Sequence, residues 1–425
     1  MLNDNIATPF AKPLYVMLKP AGAHCNLACK YCYYLEKNNL YNTSQRHLMT
    51  DEMLEQFTQE YIEAQTMNQV LFTWHGGEPL MRSIDFYKKA LELQKKYAHG
   101  KQIDNVIQTN GTLLTDEWCA FFAQNHFLVG ISIDGPQEYH DHYRQTSAGK
   151  PSWEKVMHGI SLLKKHRVEW NAMAVVNAYN AEHPLEFYHF FRDNGCQYLQ
   201  FTPIVERLTE HEDGRTLASL ADVSHEDNYE DVGNAKKQKE NQKITIADFS
   251  VTPEQWGKFL CTIFDDWVRH DVGKIFVEIF DCTLANWVGV QPGICAYSKE
   301  CGHAGVMEHN GDVFSCDHFV FPEYKLGNIQ DKSLIDMLYG EKQQAFSRLK
   351  HTSLPRQCKE CDMEFACHGE CPKNRFENDK YGEPGLNYLC KGYYEYYTHV
   401  APYMDFMKRE LQAQRPPANI MNVLK

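Results

Sequence analysis

Three cysteines lie close together near the start of the chain, in the stretch CNLACKYC. The spacing of Cys25, Cys29 and Cys32, C-x3-C-x2-C, suits one loop wrapped around an iron–sulfur cube. Such a cube has four irons that each take one external ligand, so three thiolates leave one iron for a ligand that is not protein. The alternative is zinc held by the three thiolates and one histidine, for which His24 and His75 are candidates.

A second set of cysteines occupies the last third of the chain. Its eight members are Cys295, Cys301, Cys316, Cys358, Cys361, Cys367, Cys371 and Cys390. Eight thiolates are the number that two fully ligated cubes need, although a C-x2-C pair is also typical of zinc sites. The cysteines outside both sets are predicted to be buried apolar side chains, because a free cysteine is usually part of a core. They are Cys119, Cys196, Cys261 and Cys282.

The composition predicts a cytoplasmic protein of two or three domains. The chain has 425 residues, of which 43% are hydrophobic, and a formal net charge of −13. This acidic balance argues against nucleic acids and membrane surfaces as partners. We find neither a signal-peptide pattern nor an apolar run near the roughly 20 residues of a membrane span. Because the cytosol keeps thiols reduced, the 15 cysteines indicate metal or redox chemistry rather than disulfides.

Short apolar strands alternate with amphipathic helices over the first half of the chain. The predicted strands are 14–19, 69–76, 104–111, 127–134, 169–176 and 198–205. Helices are predicted at 51–65, after an N-cap at Thr50, and at 116–125, after an N-cap at Thr115. Six successive β/α units predict an α/β fold with a parallel sheet, which is either open or a partial barrel.

Polar and glycine residues gather where three of these strands end, in HGGEP (75–79), QTNG (108–111) and SIDGP (132–136). In parallel α/β proteins the functional site lies at the carboxyl ends of the strands. Turn formation explains one such stretch, but three together indicate a site. The first cysteine array follows the first strand and belongs to the same edge.

The composition also suggests how the chain is divided. Residues 1–245 are predicted to form the barrel domain, including a polar, highly charged insertion at 206–245. A connecting helical segment is predicted at 246–294, a cysteine-rich domain with a final helix at 295–412, and a loosely held tail at 413–425.

Two local patterns are specific enough to predict backbone geometry. Thr252, Pro253 and Gln255 predict a helix start with a capping box. Asn310 and Gly311, between two apolar runs, predict a β-hairpin with a type I′ turn.

The first cysteine array, with Tyr31 before its last cysteine, resembles the motif of the radical S-adenosylmethionine (SAM) superfamily. The GGEP stretch resembles that superfamily's motif for the SAM amino group. The resemblance implies a partial (β/α)6 barrel, in which the open iron binds SAM and one-electron reduction releases a 5′-deoxyadenosyl radical. It also implies a set of SAM-binding residues, namely Tyr31, Gly76, Gly77, Glu78, Ser132, Arg144 and Val205.

The second cysteine set resembles the SPASM domain, a C-terminal extension of radical SAM enzymes that modify peptides. The resemblance implies two auxiliary clusters and, with the first array, three [4Fe-4S] clusters in all. The ligands implied for auxiliary cluster I are Cys295, Cys301, Cys316 and Cys371. Those implied for auxiliary cluster II are Cys358, Cys361, Cys367 and Cys390.

The whole chain, from about residue 10 to residue 420, is similar to the anaerobic sulfatase-maturating enzymes. Stretches that carry the similarity include CNLACKYCYYLEK, TWHGGEPL, IQTNGTLL and GHAGVMEHNGDVFSCDHFVFPEYKLGNI. The resemblance implies oxidation of one Cys or Ser of a sulfatase to Cα-formylglycine. It implies as partners an unfolded or nascent sulfatase segment, of C-x-P-x-R or S-x-A-x-R type, and a flavodoxin or ferredoxin as electron donor. The enzyme is expected to be a monomer.

The resemblance places a catalytic base at Asp317, directly after Cys316. The radical would take a hydrogen from the substrate Cβ, Asp317 would take a proton, and an auxiliary cluster would take an electron. Strand alternation puts Cys316 and Asp317 on opposite faces, so the site requires a bend or a strand that ends before Asp317. Tyr34, His75 and Gln108 are candidates to line the substrate channel, with core or turn roles as the alternative.

Two other functions remain open from the sequence. Another SPASM maturase, for example one that forms thioether crosslinks, would share the fold and clusters, but Asp317 would lose its role. A non-catalytic iron–sulfur or zinc-binding protein would explain the cysteines, but it would leave GGEP and the three-thiolate array without a purpose.

Overall fold

The elements below are those of a computed structural model, which describes residues 13–34, 37, 40–41, 48–211, 214–217 and 244–424. The strands are β1 (Tyr15–Lys19), β2 (Gln69–Trp74), β3 (Gln102–Thr109), β4 (Leu128–Ser132), β5 (Trp170–Val176), β6 (Tyr198–Pro203), β7 (Arg207–His211), β8 (Gly214–Leu217), β9 (Ile244–Ile246), β10 (Phe276–Val277), β11 (Ala304–Glu308), β12 (Asp312–Phe314), β13 (Lys325–Asn328), β14 (Arg375–Asn378) and β15 (Pro384–Asn387). The helices are α1 (Asp51–Ala64), α2 (Ile84–Tyr97), α3 (Asp116–Gln124), α4 (Gln137–Tyr143), α5 (Trp153–His166), α6 (Pro184–Asp193), α7 (Pro253–His270), α8 (Glu278–Trp287), α9 (Leu334–Leu338), α10 (Glu341–Thr352), α11 (Arg356–Lys359), α12 (Glu364–Cys367), α13 (Cys390–Gln412) and α14 (Ile420–Val423).

The predicted parallel sheet is confirmed. Strands β1 to β6 pair in chain order, each parallel to the next, and β10 adds a further parallel strand beside β6. Both predicted N-caps form, because the Thr50 hydroxyl accepts from the Met53 N–H at 3.2 Å and the Thr115 hydroxyl from the Trp118 N–H at 3.3 Å. Since all six strands run the same way, their carboxyl ends open on one edge of the sheet.

The cysteine-rich part of the chain extends the same sheet. Strand β11 lies parallel to β1, with Lys19 opposite Glu308, and β12 and β13 follow as antiparallel strands. The predicted hairpin forms, but the predicted type I′ turn is wrong, because its loop has three residues, 309–311, of which only Gly311 has a positive φ, 87°. Strand β12 ends before Asp317, which opens a short 3-10 turn and so meets the requirement set by strand alternation.

Helices α7 and α13 cross at two glycines. A Cβ on Gly392 would collide with the Pro253 carbonyl oxygen, and a Cβ on Gly257 would lie 3.0 Å from the Gly392 Cα. The predicted capping box forms at the start of α7, where the Gln255 N–H donates to the Thr252 hydroxyl at 3.2 Å and the Thr252 N–H to Gln255 Oε1 at 3.0 Å. This crossing fixes the position of the first turn of α13, which carries Cys390, the last cysteine of the second set.

Two segments predicted to be irregular contain regular structure. Within the predicted insertion, β7 lies between β8 and β9 in a small antiparallel sheet, while 212–213 and 218–243 lie outside the described residues. The tail is not loosely held, because Ile420 in α14 packs against the core and the Arg415 guanidinium lies 2.6 Å from Glu410. None of the described helices is both long and apolar enough to cross a membrane.

Candidate active site

The first cysteine array lies in the loop after β1, at the carboxyl edge of the sheet. Burial raises the pKa of the Cys25 thiol to about 12, and Glu78 and then the thiols of Cys29 and Cys32 add to the shift. The three thiols therefore lie within electrostatic reach of one another. Thiols in such a setting become thiolates only beside a cation, so this donor set fits an iron cluster better than a redox pair.

The GGEP stretch packs against the backbone of the cysteine loop. The Gly77 N–H donates to the Gly22 carbonyl and the Glu78 N–H to the His24 carbonyl, both at 2.8 Å. A Cβ at Gly77 would lie 2.6 Å from the Ala23 carbonyl oxygen and closer still to that of His24. The loop can lie this close to β2 only because position 77 has no side chain.

The Glu78 carboxylate holds the end of β3. Its Oε1 accepts from the Leu80 N–H at 2.9 Å and the Thr109 hydroxyl at 2.7 Å, and its Oε2 accepts from the Asn110 N–H at 2.8 Å. Burial raises the pKa of this carboxyl to about 7, although the three hydrogen bonds oppose the shift. Because the Glu78 side chain already binds protein groups, any contacts of the GGEP stretch with SAM would come from the backbone of this stretch.

Tyr31 and Arg144 meet at a carboxylate that the sequence patterns did not single out. Asp134 is fully buried, and its Oδ2 accepts from the Tyr31 hydroxyl and from Arg144 Nε, the latter at 2.9 Å. Its Oδ1 accepts from the Val175 N–H at 2.9 Å, which ties β5 to the site. Its place in SIDGP, at the end of a buried strand, was the signal that could have identified it.

Ser132 and Gln108 lie side by side at the ends of β4 and β3. Gln108 Nε2 donates to Ser132 Oγ at 3.0 Å. Val205 is buried, and its carbonyl accepts from Lys373 Nζ at 3.1 Å, which joins the end of the barrel to the cysteine-rich part. The predicted SAM residues thus make four sets of contacts: the GGEP stretch with the cysteine loop, Tyr31 and Arg144 with Asp134, Ser132 with Gln108, and Val205 with Lys373.

Asp317 lies at the centre of a buried polar cluster. Its Oδ1 is 2.5 Å from the Lys19 ammonium, and its Oδ2 accepts from the Tyr33 hydroxyl. Burial alone would raise the pKa of the Asp317 carboxyl, but the Lys19 ammonium lowers it below its usual value. The carboxylate is therefore held ionised, and 15% of its side chain is exposed.

Lys19 also brings together two of the predicted channel residues. Its ammonium lies 3.1 Å from His75 Nδ1 and 4.0 Å from the centre of the Tyr34 ring. Burial lowers the pKa of His75 to about 3, and Lys19 adds to the shift, so the imidazole is neutral. The Tyr34 hydroxyl donates to Glu308, which lies opposite Lys19 on β11. Gln108, the third predicted channel residue, bonds to Ser132 instead.

The second cysteine set divides into two groups of four. In the first group, burial raises the pKa of the Cys316 thiol, and the thiols of Cys295 and Cys371 add to the shift. The pKa of Cys371 is raised by burial, then by Glu370, and then by Cys295 and Cys301. The group that lies together is therefore the one predicted for auxiliary cluster I, whose ligation stays a prediction.

The other four cysteines surround the start of α13. Burial raises the pKa of the Cys390 thiol to about 12, and the thiols of Cys358 and Cys361 add to the shift. Burial likewise raises the pKa of the Cys367 thiol, and the thiols of Cys390 and Cys358 add to the shift. A cavity of about 800 Å³ opens beside all four. Within the described part of the chain, no three His, Cys, Asp or Glu side chains are placed to hold a single metal ion.

The remaining cysteines are where the sequence predicted them. Cys119, Cys196 and Cys282 are buried, and Cys261 is half-buried against the core.

Comparison with known proteins assigns both parts of the chain. Residues 20–191 match the radical SAM superfamily, and residues 300–362 match the SPASM iron–sulfur cluster-binding domain. A solved structure, native anSMEcpe with bound AdoMet (SAM), superposes with a TM-score of 0.78 at 28% identity, over 93% of this chain and 100% of that one. The fold and the site define a radical SAM enzyme with a SPASM domain, a class that binds iron–sulfur clusters and SAM.

Two curated relatives identify the branch of that class. The serine-type anaerobic sulfatase-maturating enzyme of Bacteroides thetaiotaomicron is 66% identical over 98% of this chain and 96% of its own. The cysteine-type enzyme of Clostridium perfringens is 30% identical over 92% of this chain and 97% of its own. This chain belongs to the anaerobic sulfatase-maturating enzymes, so the resemblance seen in its motifs is confirmed.

Proposed function

We propose that this enzyme oxidises a Ser or Cys residue of a sulfatase segment to Cα-formylglycine. The observation that carries the proposal is the ionised Asp317 carboxylate, which Lys19 and Tyr33 hold next to a predicted cluster ligand, Cys316. The serine-type name of the 66% identical relative supports Ser as a target. Native anSMEcpe with bound AdoMet and the Cp18Cys peptide supports a peptide segment as the form of the substrate.

The proposed cofactors are SAM and three [4Fe-4S] clusters. The clusters are assigned to the first cysteine array and to the two groups of four, whose grouping the thiol pKa shifts support. SAM bound at the first cluster would supply, after the cluster is reduced by one electron, a 5′-deoxyadenosyl radical to take one hydrogen from the substrate Cβ. We propose a flavodoxin or ferredoxin as the electron donor, and a monomer that acts in the cytoplasm, where its thiols stay reduced.

Asp317 is proposed to take the proton that the substrate must still lose. A Ser residue without one Cβ hydrogen becomes the aldehyde by losing its hydroxyl proton and one electron. A Cys residue becomes a thioaldehyde by losing its thiol proton and one electron, and water then converts the thioaldehyde to the aldehyde with release of hydrogen sulfide. Lys19 keeps Asp317 ionised and Tyr33 fixes its second oxygen, so the carboxylate is ready for the proton. The electron would pass to the auxiliary cluster assigned to Cys316, which is the chain neighbour of Asp317.

The assay that tests this function uses two matched peptides under anaerobic conditions. Reconstituted protein, SAM and a reductant are expected to convert an S-x-A-x-R peptide to an aldehyde that has lost two hydrogens, with deoxyadenosine as coproduct. A C-x-P-x-R peptide is expected to give the same aldehyde residue, and both products are measured by mass spectrometry. A peptide with Ala at the target position is the control. Deoxyadenosine without oxidation of either peptide would point instead to another SPASM maturase.

The number of clusters has its own measurement. We expect about twelve irons per chain in the reconstituted protein, because each of three cubes holds four. Replacing Cys25, Cys29 and Cys32 together by Ala is expected to remove about four irons and all SAM cleavage, while the rest of the iron stays bound. Zinc in place of iron, or loss of all iron in the triple variant, would contradict the assignment.

A further inference from the structure

The Asn110 side chain faces the first cysteine array in one orientation. Its Oδ1 accepts from the Thr112 N–H at 3.0 Å and from the Thr112 hydroxyl at 2.7 Å. Its Nδ2 donates to Asn26 Oδ1 at 2.9 Å and to Cys25 Sγ at 3.7 Å. A reversed amide would set its oxygen against the Cys25 sulfur and its NH2 group against the Thr112 N–H. The neighbours therefore fix which end of the amide meets the sulfur.

The surrounding chain holds this amide rigidly. Asn110 is 7% exposed, and its backbone N–H donates to Glu78 Oε2 at 2.8 Å. Asn26 Nδ2 donates to the Thr112 hydroxyl at 2.8 Å, which closes a ring of three side chains. The ring links the end of β3 to the cysteine loop, so a donor fixed in this way acts on the sulfur continuously.

We propose that Asn110 sets the reduction potential of the cluster held by Cys25, Cys29 and Cys32. The inference rests on the proposed function, which places a cluster there. Hydrogen bonds to ligand sulfur are among the factors that set the potential of such clusters. Reduction adds one negative charge, so an N–H donor stabilises the reduced state more than the oxidised state and raises the potential.

This role has a consequence for the start of the reaction. SAM cleavage begins when the cluster accepts one electron from the flavodoxin or ferredoxin. A lower cluster potential would make this electron transfer unfavourable from a weak reductant and leave it favourable from a strong reductant. Asn110 thus decides which donors can start the reaction, without touching the substrate.

The test compares two replacements within the same ring of side chains. Asn110→Leu keeps a branched side chain but removes the donor, whereas Thr112→Val removes one bond to the amide and leaves the Thr112 N–H to orient it. The potential is measured in full-length reconstituted protein, without peptide, by redox titration of the electron paramagnetic resonance signal that responds to SAM. We expect a more negative potential in Asn110→Leu and an unchanged one in Thr112→Val.

A second variant and a second measurement distinguish an effect on the reduction potential of the cluster from a change in the geometry of the cysteine loop. Asn110→Asp keeps the shape of the side chain but removes the donor and adds a negative charge, so the cluster potential is expected to be lower still. This variant replaces Asn110→Leu in the titration if the Leu variant loses its cluster. Deoxyadenosine formation by Asn110→Leu is expected to fall with flavodoxin as donor and to recover with titanium(III) citrate.

Three outcomes would overturn the inference. Equal potentials in wild type and the Asn110 variants would show that the contact is without effect. An equal shift in Asn110→Leu and Thr112→Val would show a general loosening of the loop. A wild-type protein with no SAM-responsive signal would refute the proposed function itself, a failure that the first two outcomes do not share.

Discussion

Replacing Asp317 by Asn is expected to stop aldehyde formation while SAM cleavage continues. The amide keeps the shape of the carboxylate but cannot take the proton. Since a positioned base contributes about 10²–10⁴-fold, the yield of peptide aldehyde should fall by about that factor. Deoxyadenosine and peptide aldehyde are measured in the same anaerobic reaction, so the ratio between them reports the uncoupling directly.

A paired variant separates the lost base from lost stability. Asp317→Asn leaves the Lys19 ammonium buried without its carboxylate, and breaking a buried ion pair costs about 3–5 kcal/mol. The double variant Lys19→Met/Asp317→Asn removes both charges and is expected to recover thermal stability without recovering the aldehyde. An unchanged aldehyde yield in the single variant, or restored oxidation in the double variant, would refute Asp317 as the base.

Gly77→Ala is expected to abolish SAM cleavage. The added methyl group would lie 2.6 Å from the Ala23 carbonyl oxygen and closer to that of His24, and both are backbone atoms that no side-chain rotation can move. The cysteine loop must therefore shift away from β2. A misplacement of about 1 Å can cost about 10²-fold, so deoxyadenosine formation should fall by at least about that factor.

Gly293→Ala is the matched control for this replacement. No atom lies within 4 Å of a Cβ at Gly293, and that residue does not have a positive φ. Wild-type SAM cleavage is expected in the control, and iron analysis of Gly77→Ala shows whether the shifted loop still holds its cluster. If Gly77→Ala cleaves SAM at the wild-type rate, the close approach of the GGEP stretch is not needed for the reaction.

The elements of the barrel could be predicted because their signals are local. Apolar periodicity and the N-caps at Thr50 and Thr115 located the strands and helices, since both depend on neighbours along the chain. The ends of several strands were placed two residues too late, as at 69–76, where the strand ends at Trp74. The polar residues that follow already belong to the site, and Gly76, with φ 142°, has left the extended conformation.

Predictions failed where distant contacts decide the local structure. The tail was predicted to be loosely held because it is the end of the chain, but Ile420 packs against α7 in the core. Similarly, Asn310 and Gly311 did not predict the three-residue loop of the β11–β12 hairpin, in which Met307 pairs with Val313.

The radical SAM class and the family of this protein could be identified from the sequence alone. Cysteine spacing and the GGEP stretch are motifs whose meaning does not depend on distant residues, so they indicated clusters, SAM and the family. The tertiary structure decided what surrounds the base. Lys19 ends β1 and is fully buried, and β11, from the last third of the chain, pairs with β1 there and places Glu308 opposite Lys19. Charge interactions depend on distance through space, so the contact that keeps Asp317 ionised exists only in the folded chain.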